Sequence, residues 1–321
     1  MRRLLFSCTL ALVASRGGAQ AVSGSEGALF LLLPTGAQAV GMGQAIVASK
    51  PGSEGIWWNP ASIAGNDKGE LAIHHSKTIA GVGDALTIVL RPHSFGTAAF
   101  SVNHLNIGEQ QVTDEFNTPI GTILPRDVVF AGTLARMLGR RVSAGMSYKL
   151  IQLRVDCQGE CGSVGAEVQS SSAADFGAQY QVMAGAPLSF GVALRNVGGR
   201  LNARETNLRD PLPTQLEIGT QYRLKFIDRY VKDTELRASG SYVDSRSFGG
   251  KAVRFGTDVV YQGKVHLRAG YVGHDQRGDA SASLGFGLQS GAFVFDIART
   301  FGGLPADNGQ PPTYVSLRYL F

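Results

Sequence analysis

Charged residues are scarce in this sequence: Asp, Glu, Lys and Arg together make up 17% of its 321 residues, and proline and cysteine contribute only 12 and 3 residues. An average soluble domain is about one-quarter charged. The low charge, together with 16 Phe and 9 Tyr, argues against a disordered chain. A mean hydropathy of +0.02 excludes a bundle of membrane helices.

Glycine is the residue in excess, with 42 copies, whereas average usage is about 7%. The glycines follow no Gly-X-Y period, and this excludes collagen. Few Lys and Glu beside so much Gly do not suit a coiled coil. The composition therefore favours a large β-rich chain, including one whose strands face lipid on one side.

The first 21 residues predict export. Residues 1–3 are basic, residues 4–14 are apolar, and residues 19–21 offer a small-x-small cleavage site. This order is typical of a secretory signal peptide, and its apolar run is too short to span a bilayer as a helix. Cleavage removes three of the 30 basic residues and leaves 27 against 25 acidic ones. The mature chain is nearly neutral, and nothing in it indicates nucleic-acid binding.

Two cysteines remain after that cleavage, Cys157 and Cys161. An even pair in an exported protein favours a small disulfide loop, because its compartment is oxidising. A zinc site would need further ligands nearby, and the neighbouring sequence offers none. We therefore predict a disulfide between Cys157 and Cys161 and no metal site.

Beyond residue 68 the sequence alternates with period two rather than with a helical period. In one run, Leu216, Ile218 and Tyr222 lie on one face, and Glu217 and Gly219 lie on the other. Each such strand has one apolar and one polar face. We count about fourteen strands, which start near residues 69, 84, 95, 126, 140, 170, 187, 213, 232, 250, 263, 279, 291 and 312.

The predicted connections alternate in length. Those after strands 2, 4, 6, 8, 10 and 12 are short, whereas longer ones cover residues 108–125, 156–169, 198–212 and 302–311. An even strand number with short periplasmic turns and longer external loops is typical of outer-membrane barrels. We predict an all-β antiparallel transmembrane barrel of about 14 strands over residues 69–321, in the outer membrane of a Gram-negative type envelope.

The end of the chain supports the same fold. Val315, Leu317, Tyr319 and Phe321 occupy every second position up to the C-terminus. This row resembles the terminal signature of bacterial outer-membrane barrels, and the resemblance implies that the barrel-assembly machinery recognises it. The physical requirement agrees, because a closing strand must present an apolar face to outer-membrane lipid.

Several glycines fall on the polar, inward face of the predicted strands. Glycine on that face allows another segment to approach the wall closely, and it permits sharp strand curvature. These inward glycines are Gly219, Gly256, Gly270, Gly285 and Gly287.

Residues 22–68 do not alternate like strands, and they are rich in Gly, Ala and paired aromatics. We predict that they form a plug inside the barrel. The run A-x-G-M-G-x-A, with Gly41, Met42 and Gly43, is followed by W-N-P-A after a second aromatic, Trp57. These motifs resemble the N-terminus of the PorV/PorQ proteins, which belong to the FadL-like group of fourteen-stranded outer-membrane barrels. Gln44 and the stretch 50–54 depart from that pattern, in which other members have a glycine and an acidic stretch.

The W-N-P-A element comprises Trp58, Asn59, Pro60 and Ala61. Asn can cap its own backbone while Pro fixes φ, so this pair initiates a turn, with a short helix after it. Gly41 and Gly43 allow close backbone approach. Two roles are open for the motif residues: they hold the plug in place, or they contact a ligand directly.

Catalytic and cofactor motifs are missing from this sequence. It contains no His-Glu-x-x-His, no nucleophile elbow and no phosphate-binding loop. His74 and His75 occupy consecutive strand positions and therefore face opposite sides, which makes a poor metal pair. A His and a Ser on adjacent strands could form a hydrolase site, but the sequence alone aligns no such pair. We predict no enzyme activity and no cofactor.

Two functions follow from the resemblance. PorV/PorQ-type proteins imply help in protein secretion or surface export of the type IX kind, with secreted proteins or secretion-system components as partners. FadL-like barrels imply transport of hydrophobic small molecules across the outer membrane. The predicted external loops are compact and leave little material for a capture groove. That compactness favours the secretion hypothesis, and small-molecule transport is the alternative.

Overall fold

The structure is a computed structural model that describes residues 27–91, 95–161, 167–182, 187–202, 209–224, 227, 229–245, 250–274, 280–302 and 311–321. The predicted signal peptide and the first residues of the predicted plug lie outside the described residues. So do parts of several predicted loops.

A closed antiparallel sheet dominates the described part of the chain, and fourteen of its strands form the wall of a barrel. The first strand pairs with both the second and the last, and this closes the sheet. The wall strands are β1 (Glu70–Thr78), β2 (Gly81–Leu90), β3 (Thr97–Asn106), β5 (Pro119–Leu138), β6 (Val142–Gly159), β7 (Glu167–Gln181), β8 (Leu188–Gly198), β11 (Gln215–Leu224), β12 (Thr234–Ser245), β13 (Gly250–Tyr261), β14 (Val265–His274), β15 (Ala280–Ser290), β16 (Phe293–Gly302) and β17 (Thr313–Leu320). Three short strands complete the sheet: β4 (Gln110–Thr113), β9 (Arg200–Asn202) and β10 (Arg209–Pro211). The predicted all-β antiparallel barrel of about 14 strands is confirmed.

The wall places apolar side chains outside and polar ones inside. In β13, Val253, Phe255 and Tyr261 are exposed, whereas Arg254 and Asp258 are buried. A soluble protein has the opposite arrangement, because its charged groups seek water. An apolar outer band around a polar interior is the pattern of strands that face hydrocarbon. Within the described residues, no helix has the length and apolar character needed to cross a bilayer.

We call the end where β1 begins and β17 ends the terminal end, and the opposite end the far end. Gly69 and Phe321 exchange backbone hydrogen bonds at the terminal end, with N–O distances of 2.9 and 3.0 Å. The turns there are short, for example the two residues between β15 and β16. One predicted short connection is wrong: β11 and β12 are joined by residues 225–233.

The far end holds more strand than the sequence indicated. β5 starts at Pro119 rather than near residue 126, and it pairs with β4, so the predicted loop 108–125 contains a hairpin. Asp114 makes that turn by accepting the backbone N–H groups of Phe116 and Thr118 at 2.8 Å. β6 likewise runs to Gly159, and the predicted loop 198–212 contains β9 and β10. The extensions form because β-strand pairing satisfies backbone groups that would otherwise need water.

The N-terminal segment, residues 27–69, lies inside the barrel. It starts at the far end, where the Gly27 N–H donates to the Pro211 carbonyl at 3.2 Å, and it reaches the terminal end at Gly69. It contains a short helix, α1 (Ala37–Gly41), and three 3₁₀ turns at Leu29–Leu32, Gly52–Trp57 and Pro60–Ile63. The helix contacts β14 to β17, and the turn at Pro60–Ile63 contacts β5, β6 and β7.

Candidate functional site

Glycines on the inward face of the wall lie where the N-terminal segment touches it. A Cβ atom at Gly256 would overlap the Met42 carbonyl, and one at Gly270 would overlap the backbone of Gly43. The segment therefore packs backbone against backbone, which only residues without a side chain allow. Gly145, Gly191 and Gly285 face the segment backbone in the same way, at Pro60, Val47 and Gly41. Gly177 faces the side chain of Asn59, and Gly219 lies between wall atoms of Gly240 and Ser241 and the side chain of Val47.

One inward glycine has a different neighbour. The space beside Gly287 is filled by Asp296 and Arg268, which are wall side chains. Sequence reasoning named this residue together with four that do face the segment. It did not single out Gly145, Gly177 or Gly191, although these residues lie on the inward side of the same alternation.

The A-x-G-M-G-x-A run forms α1 and the turn after it. Gly43 has φ +57°, and a Cβ there would lie 2.5 Å from both the Phe255 carbonyl oxygen and the Tyr271 nitrogen. Gly41 packs on the wall at Gly285, where an added Cβ would be 3.1 Å from the Gly285 Cα. Met42 lies between them and is buried. The run is therefore held against β13, β14 and β15 by close steric packing of its backbone.

The W-N-P-A element is held by hydrogen bonds as well as by glycine contacts. Asn59 Oδ1 accepts the Ala61 N–H at 3.0 Å, and this caps the turn that begins at Pro60. Asn59 Nδ2 donates to the Val47 carbonyl at 2.7 Å and to the Ala178 carbonyl at 3.3 Å. Asn59 is fully buried. This single side chain joins two parts of the segment to the wall.

The two tryptophans lie against buried cations of the wall. Arg195 and Arg254 stack on the ring of Trp58, at 5.1 and 5.5 Å from its centre, and Lys149 lies 5.9 Å from the centre of the Trp57 ring. Such cation–π contacts are worth about 2 kcal/mol when desolvated. Trp58 Nε1 donates to the Thr35 carbonyl at 3.0 Å.

Each of these cations also has a carboxylate partner. Lys149 Nζ is 2.6 Å from Asp175, and Arg254 donates to Glu217 at 3.0 Å. Arg195 Nη2 is 3.6 Å from the same Glu217 oxygen. Buried charges persist only when paired in this way. Sequence reasoning placed Glu217 on the polar face but missed its partners, because the pairing depends on which strands are neighbours.

A second group of charges joins β14, β16 and β17. Asp296 accepts from Arg268 at 2.5 Å and from Arg318 at 2.9 Å. Arg318 also donates to the Pro51 carbonyl at 3.1 Å, and it lies 3.7 Å from Glu70. These contacts hold the N-terminal segment to the wall next to the seam, the line along which β1 pairs with β17 and closes the barrel.

Glu54 is the main residue of the segment that sequence reasoning missed. Its carboxylate accepts the Gln38 and Ala39 N–H groups at 3.2 and 2.8 Å, and so caps α1. The cap residue Gly36 has no side chain for this purpose and leaves room for Glu54. Burial raises the pKa of Glu54 to about 7, although the charge of Arg318 acts in the opposite direction. The signal in the sequence was an N-terminal cap position without a capping side chain.

A histidine and a serine on adjacent strands do meet. His74 on β1 lies opposite Ser316 on β17, and His74 Nδ1 is 2.8 Å from Ser316 Oγ. Ser316 also donates to Glu54 at 3.1 Å and accepts the Ala37 N–H at 2.9 Å. In a hydrolase triad the acid orients the histidine rather than contacting the serine. Because Ser316 is fully buried beneath the segment, this cluster fastens the segment to the seam and offers no reachable nucleophile.

The two histidines face opposite sides, as predicted. His74 is buried, whereas His75 is exposed and bonded to Asp84 at 2.7 Å. Among the described residues, no group of three or more His, Cys, Asp or Glu side chains could hold a metal ion.

Cavities lie on both sides of the segment. Two small ones lie toward the far end, and both are lined by Phe30, Leu33 and Asn103. The one of about 20 Å³ also contacts Trp57 and Trp58, whereas the one of about 30 Å³ lies against β1, β2 and β3. A larger one of about 260 Å³ lies at the terminal end. Of the motif residues, Trp57 and Trp58 line a far-side cavity and Met42 lines the terminal-end cavity.

The remaining sequence-predicted residues lie away from the segment, except that Phe321 bonds to its last residue, Gly69. Leu317, Tyr319 and Phe321 are exposed on the outward face and Val315 is half-buried, and the Tyr319 ring packs 5.2 Å from Phe293. Cys157 and Cys161 form a disulfide at the far end of β6, where Cys161 is buried and Cys157 is not.

Solved structures of the same fold are known. CymD, a monoaromatic hydrocarbon channel, superposes with a TM-score of 0.61 at 14% identity, covering 92% of this chain and 99% of CymD. The toluene transporter TodX of P. putida gives 0.60 at 11% identity, covering 89% and 98%. A FadL homologue of Pseudomonas aeruginosa gives 0.56 at 12% identity, again covering 89% and 98%. No protein-family model and no curated protein matches this chain.

These comparisons establish the architecture of a FadL-like barrel for this chain. By name, CymD is a hydrocarbon channel and TodX is a toluene transporter. They agree with the broader part of the predicted resemblance, the FadL-like group, and carry no sign of the PorV/PorQ branch.

Proposed function

We propose that this protein is a non-enzymatic outer-membrane barrel that admits hydrophobic small molecules, as the toluene transporters of the same fold do by name. The apolar outward face supports a location in the bilayer, and the predicted signal peptide supports export. This assignment reverses the order of the two functions that the sequence favoured, because the solved structures of this fold are hydrocarbon channels and transporters.

The observation that carries the proposal is an aromatic and apolar site inside the far half of the barrel. Phe30, Leu31 and Leu33 of the segment face Trp57 and Trp58 around the small far-side cavity. Lys149 and Arg195, which also line this cavity, lie against the tryptophan rings and hold them in place. A cavity of about 20 Å³ is too small for a benzene ring. A ligand therefore enters by displacing the turn at Leu29–Leu32, whose residues are only half-buried or exposed.

Uptake of radiolabelled toluene into cells that lack their own hydrocarbon channels tests this function. Cells with the wild-type protein should accumulate label faster than cells with empty vector. F30A should change the uptake rate several-fold, because Phe30 lines the site. F100A is the matched control, since Phe100 is exposed on the outward face. Uptake at the vector level with a correctly inserted barrel would refute the proposal.

Planar-bilayer recording tests the plug. We propose that the segment plugs the lumen, so the intact protein should show no large steady current. A large open-channel conductance from the intact protein would contradict a sealed barrel.

The terminal row up to Phe321 is proposed as the signal for barrel assembly, and deletion of Phe321 should lower the folded fraction in the outer membrane.

Protein secretion of the PorV/PorQ type is the second candidate. It rests on the A-x-G-M-G-x-A and W-N-P-A motifs, which are buried against the wall. Affinity purification from outer membranes distinguishes the two functions. Recovery of exported proteins or type IX components supports secretion, whereas co-purified hydrophobic compounds support transport.

A further inference from the structure

A second interior cavity lies on the other side of the segment, at the terminal end. It measures about 260 Å³, and we call it the vestibule. Its roof is formed by segment residues that include Met42, Ile46 and Lys50, and its sides by the terminal ends of β5 to β8 and β11 to β13. Lys50, Arg141 and Arg223 are exposed side chains of its lining, so the vestibule opens to solvent at this end.

The vestibule carries an excess of positive charge. Lys50, Arg141, Arg223 and Arg237 line it, against a single carboxylate, Asp258. That carboxylate lies 3.1 Å from the His266 ring, 3.3 Å from Arg268 and 3.8 Å from the vestibule residue Arg237. Cations that converge on a partly enclosed space raise the local concentration of anions.

Two of those cations have no acidic partner. Arg223 and Arg237 share Glu235, at 3.0 and 2.5 Å. Within the described parts of the chain, Lys50 and Arg141 form no ion pair. The vestibule therefore has two positive charges that are available to a ligand.

A buried hydroxyl group also faces the vestibule. Ser143 lines it, is 3% exposed, and has no hydrogen-bond partner among the described residues. Its oxygen is not among the buried polar atoms sealed from solvent, so the cavity gives access to it. By contrast, the neighbouring Gln179 is used by the segment, because it donates to the Val47 and Ser49 carbonyls at 3.0 and 2.7 Å. Ser143 therefore offers a hydroxyl donor in the same cavity lining as Lys50 and Arg141.

We propose that the vestibule binds a small organic anion, a carboxylate or a phosphate with a compact apolar body. The oxyanion pairs with Lys50 and Arg141 and accepts from Ser143, while the apolar body packs on Met42, Ile46 and Met137. Arg binds such oxyanions by two parallel hydrogen bonds. The volume lies just below the range for drug-sized ligands, about 300–1,000 Å³. This site is separate from the far-side aromatic site, and its existence does not depend on toluene uptake.

Isothermal titration calorimetry of the purified full-length barrel in a nonionic detergent tests this site. The probes are benzoate, phenyl phosphate, inorganic phosphate and the uncharged benzyl alcohol. Benzoate or phenyl phosphate should bind, and affinity should fall with added salt. Benzyl alcohol should bind at least tenfold more weakly than benzoate. Inorganic phosphate should bind more weakly than phenyl phosphate, because it lacks the apolar body.

Matched variants distinguish binding in the vestibule from general attraction by exposed charges at the rim. K50Q/R141Q removes the two unpaired cations and should weaken binding about tenfold or more. R136Q/R140Q removes two exposed cations at the same end that do not line the vestibule, and it should change affinity less than twofold. Equal loss in both variants, equal binding of benzyl alcohol, or no binding of either organic anion would overturn the proposal. Inorganic phosphate that binds as tightly as phenyl phosphate would overturn the assigned ligand class.

Discussion

A single methyl group at Gly145 should undock the W-N-P-A element from the wall. In G145A the new Cβ would lie 2.5 Å from the Pro60 carbonyl carbon and 2.6 Å from both the Pro60 oxygen and the Ala61 nitrogen. An ordinary van der Waals contact of such atoms is about 3.4 Å or more, so the turn must retreat by almost 1 Å. All three atoms belong to the backbone, and no rotamer change can absorb the overlap.

The cost follows from overpacking, which is about 1–3 kcal/mol in well-packed cores. We expect the upper half of that range, about 2–3 kcal/mol, because the retreat also stretches the two hydrogen bonds that Asn59 donates. At about 1.4 kcal/mol per tenfold change, the ratio of docked to undocked segment should fall roughly 30- to 150-fold. The barrel itself should persist, since the strand pairing of β6 is unchanged.

Hydrogen-exchange mass spectrometry of the peptide that covers residues 56–64 measures this effect. Its amides should exchange faster in G145A, while peptides of β13 to β16 keep wild-type rates. G132A is the matched control: Gly132 lies on neighbouring β5, faces outward, and a Cβ there would be 3.9 Å from Phe100. In G132A the peptide that covers residues 56–64 should exchange at the wild-type rate. Unchanged exchange of residues 56–64 in G145A would refute the packing of glycine against the segment.

Three further predictions concern other contacts of the same structure. Burial raises the pKa of Glu54 from 4.5 to about 7, so the folded protein holds this proton more tightly than the unfolded chain, and docking should weaken by up to about 3 kcal/mol as pH rises from 4.5 to 7. Hydrogen exchange of the α1 amides, corrected for intrinsic rates, should become faster over this pH range in the wild type and should change little in E54Q. An equal dependence on pH in both proteins would contradict the role of Glu54. N59A should destabilise the segment by about 2–3 kcal/mol, because it loses the turn cap and two donated hydrogen bonds. The measurement is a red shift of tryptophan emission. The control N103A loses one 3.2 Å hydrogen bond to Thr35 and should cause a smaller shift. Cys157 and Cys161 should resist alkylation until reduced, and C157S/C161S should leave the melting temperature of the wall nearly unchanged because the disulfide lies at the far rim; alkylation without reductant would exclude the bond.

The wall could be predicted from the sequence because its signal is local. Alternation in β13 or β17 follows from the need for one face in hydrocarbon and one in a polar interior. Strand starts fell within three residues of the structure except at β5. There, Asp114 and Pro119 look like loop residues, yet they make a hairpin that extends the sheet beyond the rim.

The interior could be predicted only in part. Inward glycines indicated a close approach, but which segment residue faces Gly145 or Gly177 depends on contacts between positions far apart in the chain. The same holds for the partners of Trp58, since Arg195 and Arg254 come from different strands. Glu54 was overlooked because the one local signal, a helix start at Gly36 without a capping side chain, does not show which distant residue supplies the cap.

The position of residues 51–54 has a consequence for the order of assembly. Ser53 and Glu54 bond to Glu70 on β1 and Ser316 on β17, and Arg318 on β17 bonds to Pro51. The first and last strands of the wall are thus joined through the N-terminal segment as well as through their own ladder. These bonds become available only after the whole chain has been delivered to the membrane. Completion of the barrel and seating of the segment should therefore be one cooperative event, in which the earliest part of the chain serves as a template for the last strand.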